Sequence, residues 1–328
     1  MAKSANQKRK LLVLARLLER QTDEEHPVTV QDMIDELARW DIAAERKSVY
    51  ADMEELRQMG YDVQSRKGRG AGWFLGQRDF ELAELKLLVD AVQSSRFLTA
   101  RKSDSLIRKL EGLTSVHQAR QLQRQVYVDR RIKTMNESIF YNVDKIHSAI
   151  AAGRVITFRY FEYDMEKKKV FRRDGKRYCV SPCGLMWDSE NYYLAAWDDA
   201  NQEVRHYRVD KMSDITVSGA PRYVPEDFDP EGYARRHFGM FSGRQGRLRL
   251  RFRSGLAGVV LDRFGRDVMM APDGEEHFTV TLDVVVSPPF WGWLFGLGTG
   301  VEVLSPDWAA EEFRARLREV AALYERPQ

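Results

Sequence analysis

Two groups of residues in this 328-residue chain have types and spacings suited to holding a phosphate or another anion. The first is Arg46-Lys47-Ser48-Val49-Tyr50 together with the turn Arg66-Lys67-Gly68-Arg69-Gly70-Ala71-Gly72. In a helix entered near Glu45, the residues Arg46, Lys47, Ser48 and Tyr50 occupy the opening turns. A helix lying in the major groove of DNA reaches base edges from that position. Val49, Met53 and Leu56 fall at the spacing that seats such a helix on a core. Arg66, Lys67 and Arg69 lie in a glycine-rich turn whose backbone can come close to a phosphate, as a wing on the neighbouring groove would. From Lys3 to Arg78 there are 14 Lys+Arg against 13 Asp+Glu, so bulk charge does not choose between DNA and a protein partner. The placement of cations at the two contact points favours DNA. The alternative is a three-helix protein-interaction module with a solvated basic loop.

The second group is Tyr192-Tyr193-Leu194 with Arg205-His206-Tyr207-Arg208. Side chains alternate between the faces of a strand. If Tyr207 and Val209 point inward, His206 and Arg208 share the other face, and Tyr193 can join them. A guanidinium fork, an imidazole and a phenol together suit an anion. The competing reading pairs Arg208 with a local carboxylate and leaves the tyrosines to pack. Between these groups runs Lys167 to Arg177, with seven positive residues and one negative. A charge run of this kind reads first as a solvated strand tip, although clustered cations also gain from counterion release on a nucleic-acid backbone.

No Walker A sequence, H-E-x-x-H or G-x-S-x-G occurs, and no enzyme activity or cofactor is expected. Cys179 and Cys183 lack a second Cys/His pair at zinc spacing, so no metal is expected. Two cysteines also exclude a disulfide-stapled secreted fold. The apolar run Val284–Gly300 is broken by Pro288, Pro289 and glycines, which argues against a membrane span. A cytoplasmic location is expected, with no membrane partner. The net charge of +3 predicts no partner by itself.

The elements needed to position these groups fall into four segments. Residues 1–78 read helix, helix, helix, hairpin: Thr29 is a helix N-cap, Gly60 a C-terminal stop, and Trp73-Phe74-Leu75 the return strand. Residues 79–138 read as a helical connector and a dimer contact. Residues 139–224 hold short alternating strands expected to close a small β-barrel, and Pro221, Pro225 and Pro230 mark a linker. Residues 225–328 follow the order of a split βαβ unit, giving a ferredoxin-like module. The fold class is α+β.

Glu45 to Leu56 with Gly60-Tyr61, and Gly70 to Leu75, resemble the DNA-reading helix and wing of WYL-domain transcriptional regulators, with Ala51 where an arginine is usual. Ser181-Pro182-Cys183-Gly184-Leu185, Tyr192-Tyr193-Leu194 and Arg205 to Met212 resemble the WYL module in order, Tyr192 standing for the name-giving tryptophan. Gly300 to Pro306 with the last helix resembles the C-terminal extension. The resemblance implies a bacterial, homodimeric regulator with a winged helix-turn-helix that binds double-stranded DNA. It also implies an Sm/SH3-like barrel that senses a small anionic ligand or single-stranded nucleic acid. By matched position Ser181, Tyr193 and Arg208 go to the ligand face; Tyr160 and His206 join them on strand alternation. The other classes weighed are a nucleic-acid- or nucleotide-processing enzyme and a non-DNA-binding adaptor.

Overall fold

The computed structural model describes residues 5–68, 70–122, 133 and 138–325. The chain divides into two compact units, Met1–Glu137 and Ser138–Gln328.

The first unit opens with α1 (Ala5–Gln21), α2 (Val30–Arg39) and α3 (Arg46–Gln58), then the hairpin β1 (Val63–Arg66) and β2 (Gly72–Leu75). Leu14 and Leu18 of α1, Met33 and Leu37 of α2, and Val49, Met53 and Leu56 of α3 share one core. Apolar residues three and four apart put a single stripe of each helix inward. α2 begins at Thr29, whose hydroxyl accepts from the Asp32 N–H while the Asp32 carboxylate accepts from the Thr29 N–H at 2.8 Å, a reciprocal capping box. Thr29→Ala removes half of that exchange. It is expected to cost about 1 kcal/mol, read as a lower denaturation midpoint of the full chain.

α3 ends at Gly60, whose φ of 95° is open to glycine and strained for other residues. The hairpin is tied back by the Val28–Trp73 bridge, with N···O distances of 2.9 and 2.7 Å. A Cβ at Gly72 would lie 2.6 Å from the Val28 carbonyl oxygen, so that approach requires glycine. The segment expected to be a helical connector contains α4 (Leu82–Ser94), α5 (Ala100–Glu111) and α6 (Val116–Leu122), which share a small core of Leu85, Val89 and Leu122. Its remainder, 123–132 and 134–137, lies outside the described residues.

The second unit begins with α7 (Ser138–Ala151), followed by β3 (Arg154–Tyr163), β4 (Lys169–Phe171), β5 (Tyr178–Asp188), β6 (Asn191–Asp198), β7 (Glu203–Arg208) and β8 (Met212–Pro221). The antiparallel sheet runs β4-β3-β5-β6-β7, with β8 paired to β3. The small closed barrel expected from the strand spacing is instead a curled half-barrel. Among the described residues no ladder joins β7 to β8, because the turn Val209–Lys211 carries the chain from β7 directly to the far side of β3. Ile146 and Ala149 of α7 fill the concave side with Ile156, Phe158, Val180, Leu194 and Met212. Asn142 donates to the Met212 carbonyl at 2.9 Å and holds the helix there.

The proline-marked linker also differs from expectation. Pro230 opens a short helix, α8 (Pro230–Arg236), capped by the Asp229 carboxylate. Proline is accommodated at the first helical position because its missing N–H has no partner to lose there.

The remaining elements are β9 (Arg244–Arg253), α9 (Ala257–Phe264), β10 (Met270–Pro272), β11 (His277–Val286), α10 (Pro288–Gly296), β12 (Val301–Ser305) and α11 (Asp307–Tyr324). The sheet order is β10-β11-β9-β12, antiparallel throughout. Leu248, Leu250, Phe252, Val280 and Leu282 face a core shared with Phe290, Trp291, Leu294 and Ala309 of α10 and α11. The apolar run Val284–Gly300 is thus the end of β11 plus α10. Among the described residues no helix is long and apolar enough to cross a membrane.

Candidate nucleic-acid interface and candidate anion site

α3 is anchored from below. Val49, Met53 and Leu56 are buried, and Lys10 of α1, 4% exposed, donates to the Ser48 hydroxyl and pairs with Asp52 at 2.5 Å. The opposite side of the helix is open. Arg46 and Lys47 are exposed and hold no ion pair or hydrogen bond among the described residues. Tyr50 is half exposed and meets Trp73 of β2 edge-on, with ring centroids 5.9 Å apart. Arg57 binds the Val63 carbonyl at 2.6 Å and lies over the Trp73 ring. α3 and the hairpin are therefore held in one register.

The N-terminus of α3 is not capped by a side chain, since Glu45 accepts no bond there. Its free N–H groups and the positive end of the helix dipole are available to an anion. Of the residues assigned to DNA from sequence, Arg46, Lys47 and Tyr50 share this open surface. Arg66 and Lys67 are exposed on the hairpin. Ser48 differs: its hydroxyl is engaged by Lys10. Arg69 lies outside the described residues.

The five residues assigned to a ligand do not form one face. Tyr160 points into the concave core, 8% exposed, and its hydroxyl accepts from the Arg208 N–H at 3.2 Å. Ser181, 1% exposed, accepts from the Tyr223 N–H at 3.0 Å and fastens the chain after β8. Tyr193 and His206 do lie on the convex side with Arg208, in the cross-strand register Tyr193–Arg208 and Ala195–His206. α8 covers part of that side, however. Tyr193 is buried with Met186, Ala195 and Met240. His206 Nδ1 lies 3.1 Å from the Tyr233 hydroxyl. Burial, and then the neighbouring His237, push the His206 pKa down to about 4. Arg208 makes a bidentate pair with Asp210 at 2.9 and 3.0 Å and donates to Asn191 at 2.8 Å. The local-carboxylate reading of Arg208 is the one present in this structure.

A different grouping appears at the rim of the concave side. Phe158, Tyr160, Tyr178 and Tyr207 stack and cross with centroids 5.1–6.4 Å apart. Arg172 and Arg173, from the basic hairpin, stand over Tyr160 and Tyr178 at 5.5 and 4.2 Å. Arg172 also pairs with Glu162. The Tyr207 hydroxyl is buried and has no hydrogen-bond partner among the described residues. Burial raises the Tyr207 pKa and holds that of Tyr160 at about 12, so both phenols stay protonated and can donate. Cationic forks above protonated phenols can bind an anion with an aromatic or apolar body. Sequence alternation missed this grouping, although the seven cations of the hairpin were its visible signal.

Residues 141–217 match the WYL domain family and residues 244–321 match the WCX domain family. Among solved structures, the chain is similar to proteasome accessory factor B/C (PafBC) of Arthrobacter aurescens. The identity is 18% and the TM-score 0.29, over 98% of this chain and 49% of that one. The chain thus spans about half the length of that protein. It is also similar to a CRISPR Cas-related protein at 13% identity and TM-score 0.37, over 89% of this chain and 77% of the other. The second unit of this chain therefore carries a WYL domain on its curled sheet, followed by a WCX domain.

Proposed function

We propose that the protein is a dimeric, DNA-binding transcriptional regulator whose WYL domain senses an anionic ligand, rather than an enzyme. The first unit acts as a winged helix-turn-helix: α3 enters the major groove and the β1–β2 hairpin rests on the adjacent backbone. The observation that carries this reading is the exposed Arg46 and Lys47, unpaired among the described residues, on the uncapped end of a helix whose other side is buried. An adaptor surface would not need free cations aimed from that end. Two copies would set two reading helices about 34–36 Å apart on a pseudo-palindrome. On this reading the sensor is the rim of Tyr160, Tyr178 and Tyr207 beneath Arg172 and Arg173. An anion bound there shifts DNA affinity only by its difference in affinity for two dimer arrangements. The reading of residues 244–325 as a ferredoxin-like module with one added helix is supported by their element order and by the sheet order β10-β11-β9-β12.

Recovery of genomic fragments bound by the full chain should yield a defined duplex site. Arg46→Ala should weaken that site by about 1–3 kcal/mol if it reads a base, and relax preference at one position. Binding that is the same on random duplex, or unchanged by the substitution, would count against the reading.

A further inference from the structure

β9 is one of the two inner strands of the WCX sheet, and its outward positions are Arg247, Arg249, Arg251 and Arg253 in unbroken alternation with Leu248, Leu250 and Phe252. The helices α10 and α11 pack on the apolar face. A solvated face on an antiparallel sheet is ordinary, and surfaces kept only for solubility intersperse both signs of charge. Here four guanidinium groups stand in one row, about 6.8 Å apart along the strand. Arg251 is held by Asp273 at 2.9 Å and Glu302 at 3.8 Å. Arg247, Arg249 and Arg253 are exposed and hold no ion pair or hydrogen bond among the described residues.

The flanks of the row define what fits it. Arg249 is opposite Thr281 on β11 and Ser305 on β12, which add hydroxyl donors. Asp283 on β11 is opposite Arg247, and Glu302 on β12 is opposite Arg251. The cationic track is one strand wide, with acids on both sides. We infer that this face binds the phosphodiester backbone of single-stranded nucleic acid. One line of phosphates meets the arginine forks, which match phosphate geometry. A duplex would bring its second strand over Asp283 or Glu302. An acidic peptide would need a carboxylate at every second residue to fill the same row, whereas a nucleic acid carries its charge at every unit. The outward residues of β9, β11 and β12 include one ring, His277 opposite Arg253 at the end of the row, and no tyrosine, phenylalanine or tryptophan for bases to stack on, so recognition is of the backbone and independent of sequence.

The test uses the full chain and a fluorescein-labelled dT20 strand, with dT20·dA20 duplex and poly-glutamate as comparisons. The triple variant R247Q/R249Q/R253Q should bind dT20 at least tenfold more weakly. Its log–log salt slope should be shallower by about 2, since each single-strand contact contributes about 0.7. Binding of the duplex operator should not change, which separates this face from the reading helix. The single variant R249Q should weaken dT20 binding in the same direction by a few-fold, and it keeps the test open if the triple variant does not fold. Unchanged dT20 affinity and slope would overturn the inference. So would tighter binding of duplex or poly-glutamate than of dT20 through the same arginines.

Discussion

Replacing Lys10 with alanine is expected to destabilise the N-terminal unit by about 3 kcal/mol, at the lower end of the cost of breaking a buried ion pair. Lys10 is nearly inaccessible, its ammonium bridges Ser48 and Asp52, and both partners lie on the exposed-facing helix α3. Removing the cation leaves the Asp52 carboxylate, whose side chain is 18% exposed, without its counter-charge. Water can reach that group in part, which keeps the cost from the top of the range. The double variant Lys10→Met/Asp52→Leu should recover most of the loss, because no unpaired charge remains. Chemical denaturation of the three proteins checks this. A Lys10→Ala loss below about 1 kcal/mol would mean that solvent satisfies Asp52 without help. On the proposed function the same substitution weakens operator binding as well, since Lys10 fixes the half of α3 that carries Arg46 and Lys47.

Lys10 shows where sequence reading stops. Thr29, Gly60 and the stripe Val49, Met53 and Leu56 were legible because each signals through its neighbours in the chain: a cap, a stop, a period. Lys10 sits in the polar run Gln7-Lys8-Arg9-Lys10 and looks solvated there. Its burial comes from partners 38 and 42 positions away. The convex side of the WYL sheet teaches the same lesson. Strand alternation correctly set Tyr193, His206 and Arg208 on one side, but nothing local announces that α8 covers part of it. The prolines that begin and precede that helix read as linker. Tyr160 goes to the other face: on β3 it alternates in step with Ile156 and Phe158, so its ring joins the concave core while its hydroxyl reaches the Arg208 backbone. Closure of a barrel is likewise a property of which strands meet at the seam, and the turn Val209–Lys211 decides that after β7 has ended.

The contact between α8 and the sheet carries a second large prediction. His206 is flanked by Tyr233 and His237 of the α8 segment, with His237 in turn stacked on Tyr233 at 4.0 Å and bonded to its carbonyl at 2.7 Å. No carboxylate is among the causes that set the titration of His206 or His237, and burial lowers both pKa values. His206 has a folded pKa of about 4 against 6.5 for the free side chain. Over that interval the unfolded chain takes up a proton that the folded chain refuses, so stability rises with pH from about 4 to 6.5 and is full above it. The displacement corresponds to about 3 kcal/mol lost on acidification through this window, and His237 contributes in the same direction. Asp214 and Glu162, held below the usual carboxylate range by Arg159 and Arg172, lose their contributions mainly at lower pH. A His206→Gln variant keeps a group able to bond Tyr233 but cannot be protonated. Its stability should therefore fall much less between pH 6.5 and 4.5 than that of the unaltered protein, the decline that remains coming from His237. Parallel profiles for the two proteins would show that the imidazole accepts its proton in the folded state, and that α8 does not seal it from water.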